Sequence, residues 1–191
     1  DRLVKDPGTT VLKGVEAGPR TERFAMKGTS LKPNADGDYV FEAKDPRSTS
    51  AVAFSAAQKT LETFESAFGG KVDWAFRRPQ MGVYPDHQDR PMLNAYYSRN
   101  DGSVNFFHDT DRVTGTLIQS GSSGEVVSHE VGHAILDGLR PGYLAAWNSD
   151  TGGFHESFAD SMAILMGTQD EAVVAKVVDQ NGGSDARRNP P

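Results

Sequence analysis

The chain contains no cysteine. That excludes disulfides, thiol nucleophiles and cysteine-held zinc or iron–sulfur sites, so any metal has to be bound by His, Asp and Glu. No stretch approaches the ~18 consecutive apolar residues of a membrane-spanning helix. Basic residues are the minority, 20 Lys and Arg against 26 Asp and Glu, for a formal net charge of −6. This balance argues against a nucleic-acid sleeve or an anionic-membrane binder. A length of 191 residues suits one domain, or one with a small extra piece, and is enough to bury a sizeable core. Hydrophobic residues at 37% and a mean hydropathy of −0.52 describe a water-soluble chain. It begins at Asp1 with neither Met nor a signal-like segment, which fits a removed leader or an internal start, and a secreted or a cytoplasmic location alike.

Residues 1–47 are polar and broken by Pro7, Gly14, Gly18, Pro19, Gly28, Pro33, Gly37 and Pro46, with short strand-like runs such as Asp38–Phe41. They read as an arm, a pro-segment or the edge of a sheet. From Ser48 to Phe68, the residues Val52, Ala56, Leu61, Phe64, Ala67 and Phe68 approximate one apolar stripe at helical spacing, and Gly69-Gly70 stop it. Strand-like runs follow at Val72–Phe76, Met81–Tyr84, Leu93–Tyr97 and Val104–Phe107, with Asn100-Asp101-Gly102 as a hairpin turn between the last two. Glu125–Leu139 predicts a helix, and a loop of about fifteen residues leads to a second at Gly153–Met166. Asp170–Asp179 predicts a third, and the Gly- and Pro-rich stretch 181–191 reads as a flexible tail. A helix, a small mixed or antiparallel sheet and then helices make an α+β domain over residues 48–180.

Chemistry concentrates in His129-Glu130-Val131-Gly132-His133. Two histidines four apart on a helix project from one face, one turn from each other, and can share a tetrahedral zinc. Glu130 sits ~100° round the helix from His129, within reach of a water on the metal without being a ligand, where a general base belongs. A hydrolytic zinc takes a third protein ligand and keeps one position open. Glu156 and Asp160, four apart on the next helix, offer one carboxylate to the metal and another to the distal nitrogen of a ligating histidine. Phe154, Phe158, Ala159, Met162, Ala163 and Ile164 make that helix apolar enough to be largely buried, and buried carboxylates need partners.

His129-Glu130-x-x-His133 followed by Gly152-x-x-x-Glu156-x-x-x-Asp160 resembles the gluzincin clan of zinc metallopeptidases, the thermolysin-like enzymes. The resemblance implies a zincin-like fold of small sheet, backing helix, active-site helix and glutamate helix. It implies zinc held by His129, His133 and Glu156, with Glu130 activating the water and Asp160 supporting the first histidine. Asp137 matches an acidic position of that group and becomes a candidate support for a histidine. Leu93-Asn94-Ala95-Tyr96-Tyr97 resembles the family's edge strand, in which the asparagine side chain and alanine carbonyl hold substrate backbone; it also reads as an ordinary strand. Tyr143 lies near where these enzymes place an oxyanion-stabilising tyrosine, and packing is its other reading. His155 stands where asparagine is common and is expected to be structural. His87 and His108 are expected to face solvent, Trp74 and Trp147 to pack, and Asp86, Asp89, Asp109 and Asp111 match no calcium loop.

Beyond Asp160 there are 191 − 160 = 31 residues and no histidine, where the resemblance implies a sizeable helical subdomain that carries one; the expectation is a minimal gluzincin or a fragment of a longer protein, with one wall of the cleft incomplete in this chain. The resulting expectation is a zinc-dependent endopeptidase acting on peptide or protein, weak in this chain alone. Its alternative is a latent zinc-binding, peptide- or protein-interaction domain. Neither nucleic acid nor membrane is expected as a partner, and the sequence sets no oligomeric state.

Overall fold

A computed structural model describes residues 10–42, 44–87, 92–146, 148–169 and 171–180. Its centre is a four-stranded mixed sheet of β1 (Phe24–Met26), β2 (Met81–Tyr84), β3 (Ala95–Ser98) and β4 (Ser103–Phe106), in the order β1-β2-β4-β3. The β1–β2 and β2–β4 pairs are parallel and β3–β4 is antiparallel, so β3 forms one edge. A separate two-stranded ribbon joins β5 (His108–Thr110) to β6 (Leu117–Gln119). The helices are α1 (Pro46–Phe68), α2 (Gly124–Leu139), α3 (Pro141–Ala145), α4 (Ser149–Gly167) and α5 (Glu171–Gln180). The α+β expectation holds. No described helix is long and apolar enough to cross a membrane.

Local chemistry sets the helix ends. Asp45 caps α1 by accepting from the Arg47 N–H, Pro46 opens it, and Gly69 closes it at φ 79° with its N–H on the Glu65 carbonyl. Ser123 caps α2. Asn148 caps α4 by accepting from the Asp150 and Thr151 N–H groups, which starts that helix ahead of Gly152-Gly153. The fifteen-residue loop expected between the two motif helices is therefore short and contains α3. The glycine pair looked like a breaker, but the cap upstream outweighs the ~1 kcal/mol that a helical glycine costs.

The core lies between the sheet and α1, α2 and α4. Phe24, Met81, Val83, Val104 and Phe106 from the strands meet Phe54, Ala57 and Leu61 of α1, Val127, Val131, Ala134 and Ile135 of α2, and Met162 of α4. Within residues 1–47, β1 lies at an edge of the sheet, and Phe24 is fully buried. The strands expected at Asp38–Phe41 and Val72–Phe76 do not form. In the second stretch the apolar residues pack instead of pairing. Trp74 lies edge-on to Phe24 at 5.7 Å, stacks on Phe76 at 5.6 Å, and carries the Arg23 guanidinium over its face. Trp147 and Asp89 lie outside the described residues.

Two glycines should respond oppositely to the same change. A Cβ at Gly138 would stand 2.1 Å from the Asp73 carbonyl oxygen, whereas one at Gly153 meets nothing within 4 Å. Gly138→Ala is expected to destabilise by about 1–3 kcal/mol through overpacking, and Gly153→Ala to stabilise by about 0.5–1 kcal/mol through helix propensity. Urea unfolding midpoints of the two variants check this.

Candidate metal centre

Helix α2 has two working faces. Val127, Val131, Ala134 and Ile135 enter the core, while His129 and His133, about 200° round from Val127 and Val131 respectively, face a cleft of about 470 Å³. The cleft is lined by Asn94–Tyr97 of the β3 edge, by His129, Glu130 and His133, by Tyr143 and Leu144 of α3, and by Thr151, Gly152, His155 and Glu156 of α4. The start of α4 and α3 thus supply part of the cleft lining.

Glu156 arrives because α2 and α4 touch almost backbone to backbone. A Cβ on Gly132 would lie 2.9 Å from Ala159 Cα and 3.2 Å from Met162 Cβ, so glycine is what permits the approach. Three donor atoms then converge. His129 Nε2 and His133 Nε2 are 3.1 Å apart, and Glu156 Oε2 lies 3.3 Å from the first and 3.6 Å from the second. Donors ~2.05 Å from a tetrahedral ion stand ~3.3 Å apart, so the spacing and the two-nitrogen, one-carboxylate set both fit zinc. Among the described residues these three are the one group of three or more His, Asp or Glu side chains placed to hold a metal.

The outer contacts orient both imidazoles. His129 Nδ1 is 2.9 Å from Asp160 Oδ1. His133 Nδ1 is 3.2 Å from His155 Nδ1. His155 backs a candidate ligand from a site only 4% exposed. Asp137 is fully buried but touches neither candidate ligand: its oxygens accept from Arg99 and from the Tyr97 hydroxyl at 2.8 Å. The sequence contained the needed signal, an acid with no room in a core, but nothing marked Arg99 as its partner.

Burial governs the charges. It pushes the Glu130 carboxyl up to about 7, with His129 and a backbone hydrogen bond from Tyr97 opposing. It pulls His133 down to about 4, keeping the imidazole neutral at neutral pH, the form a metal ion needs. A cation between the imidazoles would draw the Glu130 proton off again. Tyr143 is 38% exposed and lies edge-on to Phe154 at 5.9 Å. Asn94 is exposed beside β3, and its carbonyl accepts from the Ser120 hydroxyl at 2.7 Å. His87 and His108 are not in open solvent. His87 packs against Tyr84, Tyr96 and Phe107, and His108 pairs with Asp86 at 2.7 Å.

No protein-family model matches this chain, and no curated protein matches it.

The Glu130 environment has a stability consequence. Its folded value lies above the ordinary 4.5, so its favourable contribution is complete below pH 4.5 and is lost as pH rises through 7. In metal-stripped protein at pH 8, Glu130→Gln is expected to stabilise by about 1–3 kcal/mol, several degrees in thermal midpoint, with no gain at pH 4.5. Calorimetry at the two pH values checks the sign.

Proposed function

We propose that this chain is a zinc-dependent endopeptidase domain of the gluzincin kind, with a zincin-like arrangement. The observation that carries the reading is the convergence of His129 Nε2, His133 Nε2 and Glu156 Oε2 beside the buried Glu130. The motif resemblance agrees with it, and so does the β3 edge beside α2. Zinc held by the three donors supplies a Lewis acid for the scissile carbonyl and acidifies the attacking water.

The protein's own groups do the rest. Glu130 takes the water proton on its carboxylate and delivers it to the departing amine nitrogen. Burial raises the basicity of that carboxylate. Asp160 and His155 hold the two imidazoles at Nδ1, which leaves Nε2 of each for the metal they would hold. The β3 edge, with Asn94 and the Ala95 carbonyl, takes an extended peptide as an added strand. Tyr143 offers its hydroxyl to the developing oxyanion. The substrate is peptide or protein.

One observation favours a second reading, a latent zinc-binding domain with weak turnover. The side chains of Glu156 and Asp160 are 66% and 67% exposed, so this flank of the site is open to water, which weakens every electrostatic interaction in it.

Protein dialysed against zinc is expected to hold one ion per chain by metal analysis, and Glu156→Ala to lose it. Glu130→Gln should keep the zinc and lower kcat by at least ~10²-fold. Asp160→Ala should weaken zinc binding by about 10–100-fold in chelator competition. Cleavage of a peptide library that a chelator abolishes supports the enzyme; stoichiometric zinc without cleavage supports the latent domain. Protein that stays metal-free overturns both.

A further inference from the structure

A buried charge cluster stands beside the metal centre with no part in the chemistry above. Asp137 is 0% exposed, in the last turns of α2. The Arg99 guanidinium grips it with both prongs: Nε donates to Oδ2 at 2.7 Å and Nη2 donates to Oδ1. The Tyr97 hydroxyl donates to Oδ2 at 2.8 Å. Arg99 Nη2 also donates to the Pro141 carbonyl, the first residue of α3, at 2.7 Å.

These contacts tie together three sides of the cleft. Tyr97 lies in β3 and Arg99 is the first residue past its end, and both side chains reach Asp137 of α2. Tyr97 lines the cleft beside Glu130, and its hydroxyl is bonded to Asp137 of α2, seven residues or two helical turns further on. That bond and the Arg99–Asp137 pair hold β3 against the helix. The third bond, from Arg99 to Pro141, ties in the helix that carries Tyr143. An isolated buried ion pair is weak evidence of stabilisation, because desolvation offsets its attraction. Here the geometry of the pair, rather than its energy, is what the cleft uses.

We infer that Arg99, with Asp137 as its buried anchor, is a positioning residue. It holds the β3 edge, the Glu130 helix and α3 in the spacing that receives a peptide, and it leaves the metal ligands themselves untouched. The catalytic part of this inference rests on the peptidase reading; the positional part stands on the contacts alone.

The test separates positioning from stability. Arg99→Met alone strands a buried charge and can unfold the protein. The double variant Arg99→Met/Asp137→Leu removes both charges and keeps the volume apolar. It is compared with wild type, and with Arg99→Lys, which cannot grip bidentately. The double variant is expected to keep zinc affinity within about threefold and its thermal midpoint within a few degrees. Amide hydrogen exchange at Tyr97 and at the start of α3 should be at least tenfold faster, and kcat/KM at least tenfold lower. Arg99→Lys should fall between. Unchanged exchange in the double variant overturns the inference, whether or not the protein cleaves peptides. Wild type that binds no zinc and cleaves nothing overturns the peptidase reading, and the exchange result still decides the clamp.

Discussion

The contact on which the site depends is the approach of α2 and α4 at Gly132. With no side chain at that position, the Ala159 backbone and Met162 come against the helix. The next turn of α4 toward its N-terminus then puts Glu156 within 3.3–3.6 Å of two imidazole nitrogens. Ala159 and Met162 are buried, so packing sets the helix spacing, and the donor geometry follows from it. Any side chain larger than hydrogen at residue 132 would have to move a helix axis.

Packing fixes the helices, but the charges at their surface are held against their preference. Glu130 is 6% exposed and sits next to an imidazole pair, where burial opposes both its ionisation and the protonation of His133. A carboxyl poised near neutrality beside the neutral His133 imidazole is a poor arrangement for stability and a good one for accepting a proton near a cation. The flanking interactions are of the opposite kind. Thr60 and Ser128 hydrogen-bond each other between α1 and α2 at 2.9 Å, and Asp137 is fully partnered by Arg99 and Tyr97. Satisfied polar contacts behind the site hold the helix that carries the groups whose charge burial opposes.

Much of this was legible in residue order. The helix over 48–68, the helix over 125–139, the β2 strand and the hairpin between β3 and β4 follow from apolar spacing and from turn residues, and these elements appear with no boundary shifted by more than two residues. The His129–His133 pair and the Glu156–Asp160 pair are each four residues apart, a local spacing that any helix converts into a shared face. The three-residue β1, by contrast, is apolar on every residue and buried on both faces. It therefore has no alternation to read. Val72–Phe76 has the composition of a strand, yet its aromatic side chains dock on Phe24 and on each other.

By itself the sequence determined the class of elements, the two helical faces and the donor types available once cysteine is absent, because these depend on contacts within one or two turns of chain. Only the tertiary structure decided which groups meet. Asp160 turns to His129, while His133 is backed by His155; Asp137 pairs with Arg99, 38 residues away, instead of supporting a candidate ligand. The physical reason is range. Helical periodicity is a local property, but a buried carboxylate takes whichever donor the packing of distant elements brings within 3 Å, and that depends on how closely α2 can approach α4 and how β3 lies along α2.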